Sequence, residues 1–373
     1  MSVEVLENIE KTLEYLIQRL SLHLKTSRII ANTLRRITFP PHSPPSSEAF
    51  FLEEKLFYPI ENINIEGSKI VGVDGGLQVA SLSGLDIILV RSIAVMFYHR
   101  PEKVVAKYFP DKVPTPTLLL LPSISSREEL DKLATLKRLQ AEYDVARAAT
   151  KEFSPNLLML DGSVMPLVSD KTILPSISKE YEEVINIFMD LIIQTERNNT
   201  ILIGVVKDSR SRIFVNTLSK IIPFLIKNGI AKELLETDYR SVLRSSPDIM
   251  FLNELIQPGE RSVSLREIVK IPEYEVSAYR DIIYLKPSPF DIPLRIEILH
   301  RSEELPISLN SIIGIVNKIS SHNPTFALPT VLIEADARVK ISNEEMDIIV
   351  QSILSKSGLS FFNKEKRRNR TPF

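Results

Sequence analysis

The sequence predicts an α/β protein built on a mixed sheet with helices covering both faces. Two observations carry this. Between residues 69 and 206 the strand and helix signals run in the order β-β-β-α-β-α-β. The strands Leu85–Tyr98, Leu157–Leu160 and Thr200–Val206 are nearly continuous apolar runs rather than alternating ones, the pattern of strands buried on both faces.

The elements follow in order. Val5, Leu6, Ile9, Leu13, Leu16, Ile17 and Leu20 keep helical spacing, so residues 3–36 form one long amphipathic helix or two shorter ones. "FPPHSPPSS", Phe39 to Ser47, cannot continue a helix and reads as a linker. Residues 1–48 are thus a helical extension with a proline-rich linker. Its apolar stripe needs a partner, either its own core or a second chain. Ile70, Val71 and Val73 are β-formers that run into Asp74, and Gly75-Gly76 is a turn signal. They predict a hairpin with Leu85–Tyr98. Lys103–Phe109 is a third strand, and Thr117–Leu121 a short apolar piece between prolines. Arg127–Glu152 is a helix, with Ser125-Ser126 as candidate N-caps and Glu128 and Glu129 in its first turn. Strand Leu157–Leu160, helix Ser178–Glu196 and strand Thr200–Val206 complete the series.

From Ile213 to Pro272 apolar helical pieces alternate with polar turns and admit no single assignment. Asp281–Leu285 and Leu294–Leu299 read as strands joined across "KPSPFD". Leu328–Ala337 and Glu344–Lys356 read as helices. These form a C-terminal α+β elaboration of one domain over 49–358. The end of the chain, 359–373, finishes in "NKEKRRNRTPF", which is basic and lacks apolar periodicity, and is expected to be disordered.

Bulk composition narrows the function classes. A chain of 373 residues at 44% hydrophobic can bury a sizeable core. Lys+Arg 46 against Asp+Glu 47 leaves a net charge of -1, so any nucleic-acid surface must be local. Cys 0 excludes disulfides, thiol catalysis and cysteine-containing zinc sites. The start "MSVEVLENIEKTLEYL" lacks a signal-peptide core, and no apolar run reaches transmembrane length. A soluble, cytoplasmic protein is expected.

Asp74 and Asp161 each follow a buried strand and precede glycine. On neighbouring strands the two carboxylates would meet at one edge and repel, unless a cation lies between them. A hard divalent ion such as Mg²⁺ or Mn²⁺ accepts such ligands. The plainer alternative is that each caps a D-G turn. Glu142 supplies a third carboxylate. Leu139, Val145, Ala146 and Ala149 share its helix face, where a charge is costly without a partner. Otherwise it is a rim residue reaching water. Asp144, beside Gln140 and Arg147, reads as solvated. The five histidines show no metal-ligand spacing.

Asp on the first strand, Glu on the helix after the third, and Asp ending the fourth is the order of RNase H-like nucleases. Two metal ions about 4 Å apart serve phosphodiester hydrolysis in such sites. "VVKDSRSR", Val205 to Arg212, adds a basic cluster. Lys207 would orient a phosphate or stabilise its charge, and Arg210 and Arg212 would hold the backbone. The alternative is a solvated helix start capped by Asp208 or Ser209.

"VGVDGG", "LLMLDGSVMPL" and "IGVVKDSRSR", in that order, resemble the NurA nucleases, as do the later "PLRIEIL" and "LIEADARVKI". The resemblance runs from about Ile70 to Ile341. It implies a manganese-dependent 5′-to-3′ exonuclease and single-strand endonuclease of archaeal DNA end resection. It also implies a homodimer working with the hexameric ATPase translocase HerA. By motif, Asp74, Glu142 and Asp161 would be metal ligands, with Mg²⁺ as a possible substitute for Mn²⁺. Many members carry a histidine where this chain has Glu334-Ala335-Asp336, and Asp336 would be the acidic replacement. That change keeps open a non-catalytic subunit that only loads or regulates the translocase. An actin-like sugar kinase, which shares the core fold and a D-G-G turn, is disfavoured by Gly 11 and the lack of a P-loop.

Overall fold

The computed structural model describes residues 3–39, 49–82, 84–124, 126–166, 175–270 and 277–357. The linker beyond Phe39, the candidate cap Ser125 and the 359–373 tail lie outside the described residues. The chain opens with α1 (Val3–Leu34), β1 (Ala49–Phe51) and β2 (Phe57–Pro59). Next come β3 (Lys69–Leu82), β4 (Leu85–His99), β5 (Val104–Phe109) and β6 (Thr117–Pro122). Then α2 (Arg127–Phe153), β7 (Leu157–Asp161), α3 (Pro175–Arg197) and β8 (Ile201–Val206) follow. After them stand α4 (Ile213–Lys227), α5 (Tyr239–Ser245) and α6 (Asp248–Leu255). β9 (Glu260–Ser262), β10 (Leu265–Lys270), β11 (Ser277–Leu285) and β12 (Leu294–His300) precede α7 (Leu309–Ser320), α8 (Thr330–Val339) and α9 (Asn343–Ser357).

These elements sort into two compact units. One combines Met1–Ile63 with Val206–Ala327, the other Asn64–Val205 with Leu328–Phe373. In the second unit, β3 pairs antiparallel with β4 and parallel with β7, and β7 pairs parallel with β8. The strand order is β8-β7-β3-β4-β5, with β6 sharing the outer edge of β4. The apolar piece between prolines is therefore a strand. Both faces are covered, which is why β4 tolerates no polar alternation. Ile88 and Val90 meet Leu130 and Ala134 of α2 on one face. Ile87 and Leu89 meet Ile341, Met346 and Val350 on the other.

One expectation for this unit needs correcting. Gly75-Gly76 do not turn the chain. Strand β3 runs through both, pairing Gly75 with Ser92 and Gly76 with Arg91, and reverses only after Leu82. The glycines answer a steric demand instead. A Cβ at Gly75 would come within 2.8 Å of Glu142 Cγ on α2, and one at Gly76 within 2.8 Å of the Val339 carbonyl carbon on α8. The strand is pinched from both faces at adjacent residues.

In the first unit β1, β10, β11 and β12 form an antiparallel run, and β2 pairs with β9. The strand expected at 281–285 is the second half of β11, and that at 294–299 is nearly all of β12. The unassigned stretch resolves into α4, a 3-10 turn at Lys232–Glu236, α5, α6, β9 and β10. Its helices α5 and α6 span 7 and 8 residues, too short to show a period. The last turns of α1 join this core. Ile30, Ala31 and Leu34 are fully buried with Phe214, Leu218 and Phe251. Its first turns do not: Leu13 is 51% exposed, Ile17 60% and Leu20 55%. The extension is thus half core element and half bare apolar helix.

Candidate active site

Three of the expected carboxylates fall in the second unit near one point of β3. In the β3–β7 ladder Val73 aligns with Leu160, so the next step brings Asp161 level with Asp74. Aligned residues on neighbouring strands share a face. That face is the one covered by α8 and α9, since Gly72 meets Leu332 and Gly76 meets Val339. Asp74 is 7% exposed, and its Oδ1 accepts a hydrogen bond from the Gly75 amide at 2.7 Å. At the end of β7, Gly162 takes φ +120 and its amide donates to Val205 O at 2.9 Å. The glycine lets the chain leave the sheet directly behind the carboxylate.

Glu142 approaches from the other face. It lies on α2 over the gap at Gly75, beside Ala141, whose carbonyl accepts from Ser92 Oγ at 3.1 Å. It is 4% exposed and ion-paired to Arg138 one turn earlier. Burial, helped by the charges of Asp74 and Asp161, pushes its carboxyl up to about 8 against the pull of Arg138. The three acids therefore share one electrostatic neighbourhood. Arg138 is the residue that sequence reasoning missed. The i−4 position of Glu142 was readable as an ion-pair spacing.

Asp336 sits on α8 of the same unit, half-exposed, with its carboxylate 3.0 Å from Lys340. Its neighbour Glu334 accepts from Tyr108 Oη at 3.0 Å and from Arg338. Both acids of the altered motif are engaged. Among the described residues no three acidic or imidazole side chains gather closely enough to form a metal cluster by themselves. The donor set still suits a hard dication. Asp74 and Asp161 are level, all three groups are carboxylates, and the charges of both aspartates disfavour ionisation of Glu142, which a cation would reverse.

Lys207, Arg210 and Arg212 belong to the first unit. Arg210 is exposed and Lys207 half-buried. Arg212 is fixed, its Nη2 donating to Leu243 O at 2.9 Å. Ser209 is buried, with Arg295 Nη1 3.4 Å from its hydroxyl. Neither Asp208 nor Ser209 caps α4. Asp248 does, accepting from the Phe214 and Val215 amides at 3.2 and 2.9 Å. A cap brought in by tertiary packing leaves no local sequence signal.

A mixed five-strand core with parallel β3, β7 and β8, antiparallel β4, and acids at β3, α2 and the end of β7 is an RNase H-like nuclease fold. Within that class the chain belongs to the NurA family, whose domain model matches residues 68–341. It is similar to the crystal structure of the NurA nuclease from Sulfolobus solfataricus, at TM-score 0.57 and 14% identity over 97% of this chain and 100% of that one. Crystal structures of NurA with manganese, and of NurA bound to dAMP and manganese, match at TM-scores 0.44 and 0.43. Their identities are 11% and 12%, over 93% and 94% of this chain and 98% and 96% of theirs. No curated protein matches the sequence.

Proposed function

We propose that this chain is a manganese-dependent deoxyribonuclease, with Asp74, Glu142 and Asp161 as its metal-binding and catalytic acids. The observation that carries the reading is the level pair Asp74–Asp161 with Glu142 set over Gly75, inside a NurA domain. When bound, Mn²⁺ or Mg²⁺, as one ion or two, would polarise a phosphodiester and lower the pKa of water. The chain's own residues have definable tasks. Asp74 and Asp161 supply two oxygen donors from rigid strands. Arg138 is the counter-charge of Glu142, a place that a bound cation would take. Lys207, with Arg210, is assigned to phosphate, and Asp336 to an outer metal contact.

The finer reading is 5′-to-3′ exonuclease and single-strand endonuclease activity in DNA end resection, by a cytoplasmic homodimer docked on a HerA-type hexameric ATPase. It is supported by family membership and by the bare apolar turns of α1. No helix among the described residues is long and apolar enough to cross a membrane.

The test is cleavage of single- and double-stranded DNA with Mn²⁺, with Mg²⁺ and with chelator. Wild-type protein should cut only with the metals, and Asp74→Ala or Asp161→Ala should abolish cutting while leaving the melting temperature equal or higher, because a repulsion is removed. Metal-independent cutting, or full activity in either variant, would overturn the assignment. A wild type that stays inert with Mn²⁺ would instead identify a non-catalytic subunit.

A further inference from the structure

Two groups of arginines in the first unit contrast. Arg28, Arg35, Arg261, Arg266, Arg280 and Arg295 each meet a carboxylate. Arg212, Arg240 and Arg244 have no carboxylate partner among the described residues. Yet these three line one cavity of about 290 Å³, together with Asn216 and Ser219. No acidic side chain lines it.

The three charges come from two elements. Arg212 precedes the first turn of α4 and is oriented by its bond to Leu243 O. Of the five N–H donors on a guanidinium, that bond uses one. Arg240 and Arg244 stand four apart on α5, on one face, a spacing at which like charges oppose the helix. Arg240 is steadied by the Tyr239 hydroxyl, 3.2 Å from its Nε. Three guanidinium groups around a cavity without a counter-charge repel one another weakly through water and together attract an anion. Planar forks in such a setting select phosphate. Arg212 is held by Leu243 O and Arg240 by the Tyr239 hydroxyl, while Asn216 and Ser219 add neutral polar groups to the wall.

We infer that the Arg212–Arg240–Arg244 cavity is a phosphate-binding site for the sugar–phosphate backbone of single-stranded DNA, separate from the acids of the cleavage centre. It rests on the nuclease reading for its ligand and extends it by a strand-holding site.

The experiment uses full-length protein and a single-stranded oligonucleotide, with chelator so that nothing is cut. The R240Q/R244Q variant, whose changed side chains are exposed, should melt like wild type. It should bind more weakly, with the slope of log affinity against log salt reduced in magnitude by about 1.4, or about 0.7 for each lost phosphate contact. K220Q, which removes an exposed charge of α4 outside the cavity, should leave a larger slope than the double variant. An unchanged slope in R240Q/R244Q, or an equal drop in K220Q, would overturn the site. Inorganic phosphate provides the second arm. If it raises the melting temperature of wild type but not of R240Q/R244Q, while both bind the oligonucleotide alike, the cavity takes free phosphate and the strand assignment fails. Because binding is read without metal, failure of wild type to cleave would count against the nuclease reading alone.

Discussion

Gly75 makes a sharp residue-level test. Alanine there drives a methyl toward Glu142 and Arg138, so Gly75→Ala should cost about 1–3 kcal/mol by overpacking. If the clash is with Glu142, Glu142→Ala should recover much of that loss, a coupling of about 0.5–3 kcal/mol in a double-mutant cycle followed by chemical denaturation. Additive losses would place the strain elsewhere. A second residue-level test concerns pH. Burial alone would raise the Asp281 carboxyl, but bonds from Arg266 and His300 outweigh it and hold it below its ordinary value. The unfolded chain then binds this proton more readily. The group stabilises the fold above its unfolded pKa, and that contribution is lost as pH falls through the folded value. Asp281→Asn should flatten the acid limb of a stability–pH curve. It should also cost about 3–5 kcal/mol near neutrality, by leaving Arg266 buried without its partner.

At the scale of elements, α1 changes character along its length. Val5, Ile9, Leu13, Leu16, Ile17, Leu20 and Leu22 are exposed, and from His23, whose Nε2 lies 2.9 Å from Ser246 Oγ, the helix is attached to its unit. Removing residues through Leu22 should leave the melting temperature nearly unchanged, while sedimentation reports a lower oligomeric state if these turns join two copies. Removing residues through Arg36 also strips Ile30 and Leu34 from the core, at about 1.5–3 kcal/mol each, and should unfold the unit. A folded product of the longer deletion would contradict the packing described. Elements of this kind mark the limit of sequence reading. The strands β4, β7 and β8 and the helix α2 were legible because both-face burial and helical spacing write themselves into long runs. The continuation of β3 through Gly75-Gly76 was not, since a glycine required by an approaching helix looks the same as one required by a turn. The alignment of Asp74 with Asp161 was legible from the apolar runs before them, although Asp74 lies within β3 and not at its end; the side from which Glu142 arrives was not.

At the scale of the whole molecule, the net charge of -1 means that attraction to DNA depends on local cationic sites. Cleavage at low substrate concentration should therefore fall steeply as salt is raised, while a short dinucleotide substrate should show little salt dependence. Equal salt sensitivity for both would argue against local backbone sites. The two units also interleave along the chain, each assembled from an early and a late segment. This arrangement has a consequence for synthesis on the ribosome. Helix α1 emerges first, but its core partners Phe214 and Phe251 are made more than a hundred residues later, on the order of ten seconds at typical elongation rates. The strands β3–β8 emerge next, yet Ile87 and Leu89 stay uncovered until Ile341, Met346 and Val350 appear near the end. Neither core can close early. A chain truncated before Leu328 holds every segment of the first unit but lacks the late segment of the second, so its strands β3–β8 should stay protease-sensitive even where the first unit is protected.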